Sequence, residues 1–133
     1  MRPIKEIIIH CTATVEGKMV RVSDVDRWHK AKGWNGIGYH YLIGLCGEVW
    51  QGRKIEIAGA HCTGHNQHSI GICYVGGLDK ALRPKDTRTP LQTAALQQLI
   101  KELKFKYPNV SVHGHREFAN KACPCFDVKE LEV

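Results

Sequence analysis

The feature that most constrains the fold is an apolar, β-branched run near the N-terminus, IKEIIIHCTA at residues 4–13. Such a run is typical of a β-strand, and apolar side chains on both of its faces indicate a strand that is covered on both sides. A buried central strand needs other strands beside it and helices above and below it. His10 falls near the C-terminal end of this strand, where a polar side chain can reach the loops beyond the sheet.

The patterns after this run predict an alternation of helices and further strands. They are a helix at residues 23–33, a hairpin at 38–53, a strand at 69–77, a helix at 89–107 and a strand at 110–115. The 133 residues fit one compact domain. We therefore predict the α/β class, as a single domain over residues 1–133 with a central mixed β-sheet flanked by helices.

Local signals place the ends and faces of these elements. Ser23 is the expected N-cap of the first helix and Gly33 its stop, and His29 is expected at the rim of that helix rather than as a ligand. Thr89 and Pro90 are expected to start the second helix. In the hairpin, alternation predicts Tyr39, Tyr41 and Ile43 on one face of the first strand. The second helix is expected to bury the stripe Leu91, Ala95, Leu99 and Leu103.

The charge balance favours an anionic partner. Nineteen Lys and Arg against thirteen Asp and Glu leave a formal net charge of +6, which suits nucleic acid, a membrane surface or an anionic wall polymer. The basic residues are scattered and accompany no nucleic-acid motif, so we expect no specific nucleic-acid partner. No apolar run approaches about 18 residues, and the first residues lack a signal-peptide core, so we expect cytoplasmic synthesis without a signal peptide and no membrane insertion.

Six cysteines are present, and three disulfides are one reading of them. A domain of this size has its own core, and no export signal is visible, so we expect most of the thiols to be reduced. Cys11 and Cys73 lie in strand-like apolar runs, where a free cysteine behaves as a small buried hydrophobic residue.

Two clusters of potential metal ligands are apparent. The first is HCTGHNQH, in which His61, His65 and His68 would share one face of a helix. Gly64, Asn66 and the absence of apolar periodicity argue against a helix there. Solvated loop histidines are the interpretation we favour for this cluster.

The second cluster lies in VHGHREFANKACPCFD, residues 112–127. Cys123 precedes a proline, which favours an extended backbone that can present its sulfur. Together with a histidine of the last strand and His10, it would give a His, His, Cys set with an open fourth position, the arrangement of catalytic zinc sites. Spacing alone does not separate His113 from His115, or Cys123 from Cys125.

Four ordered segments extend the argument: IIIHCTAT, DRWHKAKGWNGIGYHYLI, AHCTGHNQHSIGICYVGG and HREFANKACPCFD. Their order resembles that of the zinc-dependent N-acetylmuramoyl-L-alanine amidases of type 2, and most of all the small bacteriophage lysozymes of the amidase kind. The resemblance extends from about residue 4 to residue 128. Peptidoglycan-recognition proteins are similar at a greater distance and share the fold.

The resemblance implies particular site residues. It implies one zinc ion held by His10, His115 and Cys123, which leaves His113 and Cys125 outside the ligand set. Tyr39 and Lys121 match positions that support catalysis, although some type 2 amidases carry a glutamate where Tyr39 stands, so the general base is left unassigned. The same comparison implies that His61 and Asn66 line the substrate groove.

The function that the resemblance implies is hydrolysis of the amide between N-acetylmuramic acid and L-alanine in peptidoglycan. Zinc would activate water and polarise the carbonyl, and Lys121 would stabilise the oxyanion. We expect a monomeric phage or prophage endolysin, or a wall-remodelling enzyme, that reaches the wall after lysis, through a holin or by another route. The alternative is a non-catalytic peptidoglycan-recognition module, but such modules typically lack the zinc cysteine, and Cys123 is present.

Overall fold

The computed structural model describes residues 1–133 and contains seven strands and two α-helices. The helices are α1 (Val22–Ala31) and α2 (Pro90–Lys106). The strands are β1 (Glu6–Cys11), β2 (Thr14–Val15), β3 (Tyr41–Ile43), β4 (Val49–Gln51), β5 (Ser69–Tyr74), β6 (Gly77–Leu78) and β7 (Ser111–Gly114). Short 3₁₀ helices occupy Asn66–His68, His115–Glu117 and Val128–Leu131.

Five of the strands form one mixed sheet in the order β4-β3-β5-β1-β7. β1 is parallel to both β5 and β7, β3 is parallel to β5, and only the edge strand β4 runs antiparallel, as the predicted hairpin requires. β2 and β6 form a separate two-stranded ladder. Because the four parallel strands end at the same edge of the sheet, His10 near the end of β1 and His115 just after β7 arrive there together.

Both faces of the sheet are covered, which confirms the expectation for the first strand. On one face, Ile7 and Ile9 of β1 belong to a core that contains Leu96 and Ile100 of α2. On the other face, Leu42 and Cys73 belong to a smaller core that contains Val25 of α1. The prediction of a mixed central sheet flanked by helices is confirmed.

Helix α2 begins where the sequence predicts, and part of its predicted stripe is buried. The Thr89 hydroxyl accepts a hydrogen bond from the backbone N–H of Gln92 at 3.1 Å, and Pro90 is the first helical residue. Leu99 and Leu103 are buried and Ala95 packs against the main core, as expected, whereas Leu91 is 58% exposed. The other buried residues are Gln92, Leu96 and Ile100. In the first turn Gln92 replaces Leu91 on the inward face, where its amide donates to the carbonyl of Val75, just after β5, at 2.9 Å.

Two other local predictions need correction. Helix α1 starts after Arg21 rather than Ser23, because the Asp24 carboxylate accepts the backbone N–H of Arg21 at 2.9 Å and caps the first turn. Strand β3 begins only at Tyr41. Tyr39 therefore precedes the strand and packs against the core that contains Leu42, not on the side of Ile43.

The cysteines agree with a further expectation. All six cysteines are free, and Cys11 and Cys73 are buried. Neither α-helix combines the length and the apolar character that crossing a bilayer demands.

Candidate active site

A cavity of about 450 Å³ opens at the edge of the sheet where the parallel strands end. Its lining includes every site residue expected from the sequence except two, His10 and Cys123. The lining residues that concern the site are His29, Tyr39, His61, Asn66, His115 and Lys121. No carboxylate lines this cavity.

Three potential metal ligands meet at the base of the cavity. His10 is buried in β1, His115 is the first residue after β7, and Cys123 lies in the irregular tail. The imidazole rings of His10 and His115 have centroids 4.5 Å apart. One donor atom from each of the three side chains lies within 4.8 Å of the other two. The structure thus brings together two imidazoles and one thiol in a candidate metal site.

The fold of the tail selects Cys123 rather than Cys125. The sulfur of Cys123 accepts the backbone N–H of Cys11 at 3.2 Å, which holds it at the end of β1 beside His10. The sulfur of Cys125 instead points to the carbonyl of Gly77 at 3.4 Å, and burial raises the pKa of its thiol to about 11. Cys125 therefore stays outside the cluster.

The position of each residue relative to β7 also distinguishes His115 from His113. His113 lies within β7, where its ring nitrogens pair with the Ser111 hydroxyl at 2.7 Å and the Glu117 carboxylate at 2.9 Å. His115 follows the strand and is buried beside His10. Burial, and then the charge of Lys121, lower the pKa of His115, which keeps its imidazole available as a ligand.

His61 is not the solvated loop residue that the sequence predicted. It is buried, and its Nδ1 lies 2.8 Å from Nε2 of His10. Its other nitrogen, Nε2, lies 3.2 Å from the Ser69 hydroxyl. The ring packs over the bare backbone of Gly71, where an added Cβ would approach its Cδ2 to 2.7 Å. Burial lowers the pKa of His61 to about 3, so the ring is neutral.

This contact fixes the state of His10. Burial, followed by the neighbouring His61 and His115, lowers the pKa of His10 well below its ordinary value. The hydrogen bond between Nε2 of His10 and Nδ1 of His61 leaves Nδ1 of His10 as the ring nitrogen without a hydrogen-bond partner in the protein. A buried hydrogen-bond partner of this kind sets both the tautomer and the orientation of a ligating histidine.

The loop before β5 is held by Asn66. Its side-chain oxygen accepts the backbone N–H groups of His61 and Cys62, both at 2.9 Å. The loop contains one short 3₁₀ turn, Asn66–His68, so the prediction that it is not an α-helix is confirmed. His65 and His68 are half-buried and turn away from the cavity toward Glu6.

Tyr39 and Lys121 lie on either side of the histidine pair. The Tyr39 ring is 5.0 Å from the ring of His10, and burial raises the pKa of its hydroxyl well above the ordinary value, so the phenol stays protonated. Lys121 is exposed at the cavity, and its charge contributes to the lowered pKa values of His10 and His115.

Sequence reasoning missed one wall of the cavity. His29 and Trp34 meet edge to face with centroids 4.6 Å apart, and the Lys32 ammonium lies 5.1 Å from the Trp34 ring. His29 is buried, and its Nδ1 accepts the backbone N–H of Gly38 at 2.8 Å. The available signal was the basic and aromatic run KAKGW, residues 30–34, at the C-terminal end of the helix.

Comparison with known proteins identifies the family. The family model described as N-acetylmuramoyl-L-alanine amidase matches residues 1–126. The chain belongs to this amidase family. It is 41% identical over 124 residues to the endolysin of Klebsiella phage KP32, an alignment that covers 93% of this chain and 82% of that protein.

More distant relatives have the same fold. The endolysin N-acetylmuramoyl-L-alanine amidase LysCS from Clostridium intestinale superimposes on this amidase-family chain with a TM-score of 0.84 at 27% sequence identity. The superposition covers 98% of this chain and 82% of the LysCS chain. Peptidoglycan-recognition protein SC2 of Drosophila melanogaster is 32% identical over 126 residues, which cover 88% of this chain and 66% of that protein. The family therefore includes both named amidases and named recognition proteins.

Proposed function

We propose that this protein hydrolyses the amide bond between N-acetylmuramic acid and L-alanine in peptidoglycan. The observation that carries the proposal is the convergence of His10, His115 and Cys123 at the base of an open cavity, in a chain of the amidase family. A site with three protein donors and an open position suits catalysis rather than scaffolding.

The donor set fits one zinc ion. Two neutral imidazoles and a thiolate are ligands that zinc prefers, and the Cys11 N–H holds the sulfur of Cys123 in place. Bound zinc would supply a Lewis acid that activates water near neutral pH and polarises the scissile carbonyl.

The remaining residues orient the reactants and stabilise charge. His61 contacts Nε2 of His10 and would hold the His10 ring in the orientation that a ligand needs. Tyr39, with its proton retained, donates a hydrogen bond toward the reacting carbonyl or the attacking water. The Lys121 ammonium at the cavity stabilises the oxyanion that develops when the carbonyl is attacked.

The absence of a carboxylate from the cavity wall bears on proton transfer. Where some type 2 amidases carry a glutamate, this chain has Tyr39, whose raised pKa makes it a poor base at neutral pH. We therefore assign Tyr39 an orienting and hydrogen-bonding role and assign no carboxylate base.

The cavity walls would hold the glycan and stem peptide. The side-chain nitrogen of Asn66 makes no hydrogen bond within the protein and is free for a ligand, whereas both ring nitrogens of His61 are occupied. His61 would thus contact substrate only through its ring. The Lys32 and Trp34 wall adds a charge and an apolar face.

In biological terms, the protein would act as a monomeric endolysin on the cell wall. We propose that it reaches peptidoglycan after lysis or through a holin. The net charge of +6 favours attraction to anionic wall polymers.

The test is release of L-alanine N-termini from purified peptidoglycan by the wild type and by Cys123→Ala, with zinc measured in both. We expect new alanine amines from the zinc-loaded wild type and none from the variant. Peptidoglycan retention and zinc binding without new amines, across several stem-peptide types, would instead indicate a recognition module and overturn the roles of Tyr39 and Lys121.

A further inference from the structure

A second cluster of metal-binding side chains lies at the opposite end of β1 from His10. Oε1 of Glu6 is 2.8 Å from Nδ1 of His65 and 3.0 Å from Nε2 of His68. One donor atom from each residue lies within 4.8 Å of the other two. The side chains are only 16%, 25% and 32% exposed, respectively, so the cluster is half-buried.

The ring of His65 is held in place by its neighbours. It stacks on Phe118 with centroids 4.0 Å apart and an interplanar angle of 22°. His113 also contacts Phe118, with ring centroids 5.0 Å apart, and its Nε2 is 3.9 Å from Oε2 of Glu6. The cluster therefore has a third imidazole at its border.

The backbone that presents the two histidines is also fixed. The carbonyl of His68 accepts the N–H of Lys5, the residue before Glu6, at 2.7 Å. The Arg2 guanidinium donates to the carbonyl of Asn66 at 3.3 Å. The donors are thus arranged before any ion arrives, which lowers the entropic cost of binding.

We propose that Glu6, His65 and His68 form a second site for a divalent first-row transition metal ion. Two imidazoles and one carboxylate suit zinc, cobalt, nickel or iron, whereas magnesium and calcium prefer oxygen ligands alone. Nδ1 of His65 and Nε2 of His68 approach the same carboxylate oxygen of Glu6. A cation bound between these three atoms would take the place of the protons in the two hydrogen bonds. Positions not taken by protein remain open to water.

This site is separate from the His10, His115 and Cys123 cluster. Glu6 and His10 lie four residues apart on β1, which corresponds to about 13 Å along a strand. The loop at residues 61–68 connects the two places, with His61 touching His10 at one end and the two ligating histidines at the other. A metal ion at the second site would fasten this loop to the sheet.

The experiment measures metal stoichiometry in the folded protein with zinc and with cobalt as probes. We expect two equivalents in the wild type, one in Cys123→Ala and one in His65→Ala/His68→Ala. Cobalt distinguishes the sites, because only the ion bound to Cys123 produces a thiolate-to-cobalt charge-transfer band. That band should persist in the double variant and vanish in Cys123→Ala, which retains the weaker ligand-field absorption of the second ion.

Gln67→Ala is the matched control, since Gln67 is exposed in the same loop and should leave two equivalents. If the double variant does not fold, as judged by circular dichroism, Glu6→Gln replaces it and should also lose one equivalent. The proposal is overturned if the wild type takes up one equivalent only, or if the second equivalent survives removal of the ligands. A hydrogen-bonded cluster without metal affinity would give that result.

Discussion

At the scale of single residues, Lys121 offers the sharpest test of transition-state stabilisation, because it lies at the cavity without being a metal ligand. Lys121→Ala should lower kcat by about 100- to 1,000-fold, the usual effect of removing one donor to an oxyanion. Zinc content should stay unchanged. Lys101→Ala, an exposed change on α2, is the control for lost charge. A loss below about tenfold would contradict the role.

His61 should influence activity through the metal. His61→Leu removes the partner of His10 Nε2 while keeping a similar volume, and loss of such a partner typically weakens metal binding by about 10- to 100-fold. Zinc affinity measured by competition with a chromophoric chelator should fall accordingly. Thr63→Ala, an exposed change in the same loop, should leave affinity unchanged. Equal affinities for His61→Leu and wild type would sink this assignment.

His40 should make the fold sensitive to acid. Its Nδ1 accepts the N–H of Gly71 at 3.0 Å, and its Nε2 donates to the carbonyl of Ile57 at 2.9 Å, so the folded state needs a neutral ring. Burial lowers its pKa from 6.5 to about 4. Between these values the unfolded chain binds more protons, so stability present above pH 6.5 is lost as the pH falls toward 4, by up to about 3 kcal/mol.

Urea unfolding from pH 7 to pH 4 measures this loss. Metal-free protein, prepared with a chelator, excludes a contribution from metal release. His40→Gln should flatten the dependence on pH without abolishing it, because burial also lowers the pKa of His29 to about 4. If the free energy of unfolding varied with pH equally in the wild type and in His40→Gln, protonation of His40 would not be the cause of the loss.

At the scale of elements, helix α2 allows a direct comparison of two leucines. Leu96 is fully buried, whereas Leu91 is 58% exposed. Leu96→Ala should lower the free energy of unfolding by about 2–5 kcal/mol, and Leu91→Ala by about 0.5 kcal/mol or less. Chemical denaturation measures both. Similar losses for the two variants would show that the inward face of the helix has been assigned wrongly.

The same helix shows what local sequence can predict about an element. Thr89 and Pro90 mark its start because capping depends on neighbours in the chain. The buried stripe was right at Leu99 and Leu103 and wrong at Leu91, because the Gln92 amide bonds to the carbonyl of Val75, a contact between distant segments. The two-residue strands β2 and β6 were not predicted at all, since so short a segment carries no periodic pattern.

At the scale of the whole molecule, removal of metal should weaken the protein without unfolding it. The main core, packed between the sheet and α2, contains neither His10 nor His115, so the chelated protein should keep its circular dichroism spectrum. At zinc concentrations of about 100 times Kd, binding adds about 2.7 kcal/mol, and the Tm should fall when it is lost. If chelation unfolded the protein, the claim that the main core is stable without the metal would be contradicted.

The candidate site depends on the register of distant strands, which explains how far it could be predicted. The pairing of Ile9 with Gly114 brings His115 to the end of β1, beside His10. Spacing left His113 and His115 equivalent, and only the family resemblance indicated the residue that the structure places in the cluster. The burial of His61 against Gly71 and the contact of Glu6 with His65 depend on the position of β5 beside β1. No local sequence pattern predicts contacts of this kind.

The hydrogen bond from Cys11 to Cys123 joins positions 112 residues apart, and this separation has a consequence for protein synthesis. Chains grow at about 5–20 residues per second, so Cys123 is made about 6–22 s after Cys11. The cluster of His10, His115 and Cys123 therefore cannot be complete before residue 123 has been translated. A host cell that makes this protein is exposed to its wall-degrading activity only after that point in the synthesis of each molecule.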